Sequence, residues 1–445
     1  MKIMVDKKNS YELICYNTDD SGMFGEASRV VFPKDVQDVI KIVFDSQDLV
    51  PRGLGSNIVG GCVPSNSVVV DMKNMNNINF DFKSKIVCVE AGVTIKELNE
   101  KLKPIGYEFP IICNGTIGGI IAINKPSLMG AYGNIKEWIE KIEFVNGRGE
   151  LIKFGKADIG EICGLEGITG IITSAKLRVI PIVKRSASIF QSNDLEEIFI
   201  VAKRLKLEKD IVMLRFYSPY FSKLLGFPEK YHIIVGFDNE HGKIKDNGYI
   251  ELFNKIRKDY YKLYKENYRD SEDPKFLFEK VKEFILFLDN FNVPYSGDLN
   301  LGIIYPFFND DLKKQEVIKM IDRMNGRPGS YGIGLKRKKR IDNLQKKIIR
   351  RIKLRHDPFL KLNKGKLIDI EDSSTDENKE IKKDLLKTDS NQSPEEDMKK
   401  FIDDTQMEEV GNVSMKDNLD DKVDKKLMDK ILFNKDDKNK LDNKK

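Results

Sequence analysis

Three glycine-bearing segments carry the strongest chemical signal in this 445-residue chain. The first, Pro51-Arg52-Gly53-Leu54-Gly55-Ser56-Asn57-Ile58-Val59-Gly60-Gly61, directly follows a strand signal. Glycines let successive backbone N–H groups converge on a diphosphate with no Cβ in the way. A dinucleotide fingerprint of the Gly-x-Gly-x-x-Gly type must open a helix, but the next strand begins near Val68, which leaves no room for that crossover. The second segment, Thr116-Ile117-Gly118-Gly119, continues through apolar residues to Asn124 and reads as a buried backbone turn. The third, residues 164–173, passes Gly167 and runs through Ile171 and Ile172 into a strand. One such loop is an ordinary set of turns; three in one α+β region imply a large, elongated, phosphate-containing ligand.

Other reactive side chains are sparse. The histidines are His232, His241 and His356, and the cysteines Cys15, Cys62, Cys88, Cys113 and Cys163 form no Cys-x-x-Cys pair. An odd, scattered set of thiols fits a reducing cytoplasm. Arg215 is a charge inside an apolar strand pattern: either it anchors a substrate carboxylate or it occupies the exposed face of a half-buried strand. The surplus of 76 Lys+Arg over 70 Asp+Glu, +6, is too small to demand nucleic acid.

These groups need a scaffold, and with 40% hydrophobic residues the chain can build one. Between residues 30 and 182 short β-branched runs alternate with amphipathic helices. Val36, Val39, Ile40, Val43 and Phe44 make one apolar helical stripe; Thr94-Ile95-Lys96-Glu97 reads as a capping box. Strands are expected at 68–72, 86–90 and 171–181, with a hairpin pairing 142–145 with 151–154. Beyond Lys184 a helix near 195–205 and strands near 211–217 and 232–237 suggest a separate α+β lobe. Ile341, Leu344, Ile348, Ile349 and Ile352 line a basic helix expected over 336–355. From 369 onward the composition is too polar to fold alone and predicts a disordered tail, with short helix signals after Ser393-Pro394 and around Val423–Leu432.

The order and spacing of 52–61, 116–124 and 164–173, together with Val89-Glu90-Ala91-Gly92-Val93-Thr94 and Tyr132-Gly133, resemble the FAD-binding domain of the vanillyl-alcohol oxidase / p-cresol methylhydroxylase (PCMH-type) superfamily. The resemblance covers residues 28–182. It implies an α+β fold: a PCMH-type domain of two α/β subdomains over 1–182, a ferredoxin-like α+β cap over 183–325, a return segment over 326–368 and the disordered tail over 369–445. It also implies FAD bound by Arg52, Gly53, Leu54, Gly55, Ser56 and Asn57, by Thr116, Ile117, Gly118 and Gly119, and by Gly167, Ile171 and Ile172. Some relatives attach the flavin through a histidine in the first loop; the matching stretch here is Gly55-Ser56-Asn57, so noncovalent FAD is expected. Cys113 lies near a cysteinyl attachment point of other relatives, but its spacing to Gly118 differs.

Two later segments, Ser296-Gly297-Asp298-Leu299-Asn300-Leu301-Gly302 and Gly329-Ser330-Tyr331-Gly332-Ile333-Gly334, resemble eroded motifs of the glycolate oxidase FAD-subunit and D-lactate dehydrogenase branch. The histidines and glutamate that bind metal or act as base there are replaced by Ser296, Gly302, Ser330 and Tyr331, so no metal is expected. Tyr331 is then the candidate base or an aromatic packing residue; Arg215 and Asn300 complete the candidate catalytic set. The resemblance implies an FAD-dependent dehydrogenase or oxidase acting on a small 2-hydroxy acid or related alcohol. The alternatives are a noncatalytic or electron-relaying flavoprotein subunit, and a reductase like UDP-N-acetylenolpyruvoylglucosamine reductase. The electron acceptor, a quinone or a partner protein, is not encoded legibly. The basic helix either rests on a membrane surface, docks an acidic partner or is simply solvated. A polar N-terminus and the lack of an apolar span give the expectation of a cytoplasmic protein.

Overall fold

The computed structural model describes residues 5–370. Three main sheets organise them. The first has four strands in the order Val5–Lys7, Glu26–Phe32, Ser65–Asp71, Leu49–Arg52. Its last two pairings are parallel, with Val30 opposite Val69 and Val50 opposite Val69. Parallel pairs need a crossover. The helix Val36–Asp45 provides it, its N-terminus capped by the Asp35 side chain and its face of Val39, Ile42 and Val43 buried.

The second sheet is antiparallel, in the order Ile78–Asp81, Ile86–Glu90, Gly170–Arg178, Ile139–Asn146, Leu151–Phe154. The hairpin expected around Asn146-Gly147-Arg148-Gly149 forms as read. So does the capping box: Thr94 accepts from the Glu97 N–H, and the Glu97 carboxylate accepts from the Thr94 N–H, at the start of the helix Ile95–Leu102. The last strand of this region stops at Arg178, and Ile180–Pro181 pairs separately with Tyr107–Glu108.

The third sheet is antiparallel and runs Ser186–Ser192, Tyr231–Phe237, Ile211–Tyr217, Tyr295–Asp298, Ile303–Phe308, Pro274–Lys275, Arg327–Pro328. The helix Leu195–Leu205 packs on it. Three further helices, Asp246–Asn267, Phe278–Asn290 and Asp311–Arg323, belong to the same region and went unread in the sequence.

Two expectations need correction. The 116–124 turn is a short helix, Ile117–Ala122, because Thr116 caps it through the Gly119 N–H. The basic helix is shorter than 336–355: it spans Asn343–His356, starting at an Asp342 cap. Ahead of it, Arg337 and Arg340 are drawn into ion pairs with Glu272 and Asp273, which hold that stretch out of the helix. The chain then returns to the first sheet, where the Leu49 N–H donates to the Lys361 carbonyl at 2.8 Å and the Asn363 N–H to the Leu49 carbonyl at 2.7 Å. The expected tail, with its two helix signals, lies outside the described residues from 371 on.

Candidate active site

The loop after strand Leu49–Arg52 owes its shape to side chains beneath it. Arg52 is buried, and its guanidinium donates to the Thr18 carbonyl at 2.8 Å and the Cys15 carbonyl at 3.3 Å. Gly55 has φ +70°, and a Cβ there would stand 2.1 Å from the Arg52 guanidinium. Asn57 folds the far side: its Oδ1 accepts the N–H groups of Val59 and Gly61 at 2.8 and 2.9 Å. Among the described residues, no backbone N–H from 53 to 58 donates to another group of the protein. Leu54 and Ser56 are exposed and the other four residues half-buried, so these N–H groups are left to solvent or to a ligand. Six in succession beside a cavity form a cradle for an anion.

The second loop meets the first at Gly53, whose missing Cβ leaves room for the Thr116 hydroxyl. A cavity of about 320 Å³ opens between them. Its walls include residues 51–58, Thr116, Gly118, Gly119, Gly167, Gly170 and Ile172. Of the residues expected to bind cofactor, Ile117 and Ile171 do not reach the cavity; both are fully buried in the core. The remaining eleven do.

From the third sheet, Arg215 and Tyr305 face the same cavity, joined by Tyr331. Arg215 is buried, which removes the reading of an exposed strand residue; it sits 3.7 Å from Asp298 and over the Tyr305 ring. Burial raises the Asp298 carboxyl to about 6, with Arg215 opposing that shift. Asn300 is outside the cavity wall, its side chain packed against Gly130.

Sequence reasoning missed the residues that hold Tyr331 in place. Asp273, fully buried, accepts the N–H groups of Ser330 and Tyr331 and pairs with Arg337. Glu166, at φ +50°, accepts the N–H groups of Ile333 at 2.5 Å and Gly334 at 2.8 Å. Burial pushes its carboxyl up to about 7, against the pull of those two N–H bonds. Lys125, also unread, lines the cavity and donates to the Ser330 carbonyl at 2.9 Å. The only available signal for Lys125 was its position one residue beyond the 116–124 segment, and for Glu166 its place inside the 164–173 segment; Asp273 gave none.

None of the three histidines lines the cavity. His356 Nε2 lies 2.6 Å from Glu161, and His232 contacts Ser222 and Gln191. Among the described residues, no three His, Cys, Asp or Glu side chains are grouped to hold a metal ion.

A family model described as an FAD binding domain matches residues 27–155, which contain both the 53–58 cradle and the Thr116 turn. Residues 27–155 belong to the PCMH-type FAD-binding family. FAD is the cofactor of that family, and the N–H cradle, the Gly53–Thr116 approach and the cavity between the two loops fit it. The chain is 28% identical over 170 residues to a D-lactate dehydrogenase of Archaeoglobus fulgidus, covering 34% of this chain and 38% of that protein. It is 27% identical over 197 residues to glycolate oxidase subunit GlcD of Bacillus subtilis, covering 40% and 42%. The matches thus span about two-fifths of these relatives' own lengths. Among solved structures, alkyldihydroxyacetonephosphate synthase shares the fold, with a TM-score of 0.61 at 17% identity over 80% of this chain and 83% of that one.

Proposed function

We propose that the chain is an FAD-dependent oxidoreductase that oxidises a small 2-hydroxy acid or related alcohol. One observation carries this reading: a single cavity is bounded on one side by the 53–58 N–H cradle and on the other by Arg215, Tyr305 and Tyr331. Bound FAD would supply a two-electron acceptor at its N5 position. The cradle and the turn at Thr116, Gly118 and Gly119 would hold the pyrophosphate, with Gly167 and Ile172 along the same groove. The stretch Gly55-Ser56-Asn57 has no histidine to make a covalent link, so the flavin would be held noncovalently. Arg215 would orient the acid end of the substrate through a charge-assisted hydrogen bond. Tyr331, pinned by Asp273, would close the chamber and, as a phenolate favoured by the nearby Lys125 and Arg337 cations, would be the candidate to receive the hydroxyl proton. In this reading residues 1–182 form the FAD domain, 183–325 a ferredoxin-like cap, and 326–368 a return segment.

A second reading is a flavoprotein subunit that relays electrons without oxidising a hydroxy acid. The absence of histidine from the cavity wall favours it, since an imidazole near neutral pKa is the usual base for such a proton.

The deciding experiment is an absorption spectrum of the purified protein, then acid precipitation, then anaerobic addition of D-lactate, glycolate and D-2-hydroxyglutarate. A yellow supernatant and rapid bleaching by one acid support the oxidoreductase. Flavin that no acid bleaches supports the relay subunit. Colour retained in the pellet would point to Cys113, which lines the cavity, and overturn noncovalent binding.

A further inference from the structure

Lys125 faces the cavity from the PCMH-type domain, and its surroundings do not use up its charge. Its backbone is fixed on both sides: the N–H donates to the Ile120 carbonyl at 2.9 Å, and the carbonyl accepts the Ile135 N–H at 3.0 Å. These bonds fix the point from which the side chain departs, next to the helix Ile117–Ala122. Nζ donates to the Ser330 carbonyl at 2.9 Å and lies 5.1 Å from the centre of the Tyr331 ring.

An ammonium carries three donors and no acceptor. Among the described residues, Lys125 has this one hydrogen bond and no carboxylate within salt-bridge distance. As an ammonium it would have two further donors for a group in the cavity that it lines. Burial drives its pKa below the ordinary lysine value, with Cys113 and Asp273 pulling it back up. Arg215 faces the same space from the third sheet, so cationic side chains of two different sheet systems look into one chamber.

We propose that Lys125 is the anchor for a substrate carboxylate, a specificity residue that the chain places on the flavin-domain wall. The inference rests on the oxidoreductase reading and narrows it: the substrate is an acid held between Lys125 and Arg215. Its alternatives are a tether that merely fastens Ser330, and a counter-charge for the FAD phosphates.

The test uses the full-length, FAD-loaded protein and oxalate, a dicarboxylate with no hydrogen to give up. Oxalate binding is followed through the flavin absorption band in the native chain and in K125M, K125Q and K125R. FAD affinity is measured separately by reconstitution of the apoprotein. Loss of one charge-assisted contact predicts oxalate binding weaker by about tenfold or more in K125M and K125Q. K125R should stay within about threefold of native, and FAD affinity should hardly change. K125Q keeps a donor for Ser330, so it remains informative if K125M fails to fold. Equal oxalate affinity in the native and K125Q proteins, no oxalate binding to the native holoprotein, or a loss confined to FAD affinity would each overturn the anchor. A chain that takes up no FAD at all would instead remove the oxidoreductase reading beneath it.

Discussion

Gly53 and Thr116 stand so close that a Cβ on the glycine would lie 2.2 Å from the threonine hydroxyl oxygen. The contact joins the two loops that bound the flavin groove. G53A must push them apart, and we expect at least a tenfold loss of FAD affinity, read by fluorescence titration of the apoprotein. T116A removes the helix cap as well, at a cost of about 1 kcal/mol in urea unfolding. T116S should restore most of both. An unchanged FAD affinity in G53A would show that the approach of the loops is incidental.

Glu166 gives stability a pH signature. Its folded pKa of about 7 lies above the ordinary carboxyl value of 4.5, because burial penalises the charge more than the Ile333 and Gly334 N–H groups repay it. The native state therefore holds this proton more tightly than the unfolded state between those values. Its contribution is fully present below about pH 4.5 and is lost as pH rises through about 7. Urea midpoints of the native chain should fall across that window relative to E166Q. Parallel profiles for the two proteins would contradict the assignment.

Asp273 is the acceptor for the backbone N–H groups of Ser330 and Tyr331 and the partner of Arg337, and both members of the ion pair are buried. Breaking a buried pair from one side costs about 3–5 kcal/mol. D273N should lower the unfolding midpoint sharply and release the Tyr331 loop, seen as new protease cleavage near residues 329–334. A midpoint within a degree or two of native would mean that Glu166 alone fixes the loop.

Arg215 serves the substrate rather than the flavin in the proposed chemistry. R215M should raise the KM for the hydroxy acid by about tenfold or more while leaving FAD content unchanged, with R215K intermediate because it lacks the planar fork. Loss of flavin in R215M, without a change in KM for the protein that remains loaded, would place Arg215 among the cofactor contacts.

Much of the fold was legible because its signals are local. The Thr94–Glu97 capping box, the 142–154 hairpin and the stripe of Val36, Val39 and Val43 each occupy a few consecutive turns or strands. The glycine loops were legible for the same reason, since the backbone geometry they need is written in the residues that adopt it. The 116–124 segment was misjudged because a helix of six residues is too short to show periodicity; Thr116 as a cap was its one clue. What decides the chamber is nonlocal. Glu166 reaches residues 333 and 334, Asp273 reaches Ser330 and Tyr331, and Lys125 reaches Ser330 across more than two hundred positions. No spacing rule connects such pairs. Asn300 illustrates the converse: its motif position suggested chemistry, yet the turn directs it against Gly130.

The hydrogen bonds that Leu49 exchanges with Lys361 and Asn363 impose an order on biogenesis. Strand Leu49–Arg52 lies at one side of its sheet, and among the described residues its outer edge pairs with the segment near 362. While the chain is emerging from the ribosome, the flavin loop is attached to a strand with an open edge, the kind of surface that recruits other chains. Its cover arrives some three hundred residues later. A protein stopped before residue 360 would carry every motif of the flavin groove and still present that edge to its neighbours, so truncation should produce aggregation before it produces an apoprotein.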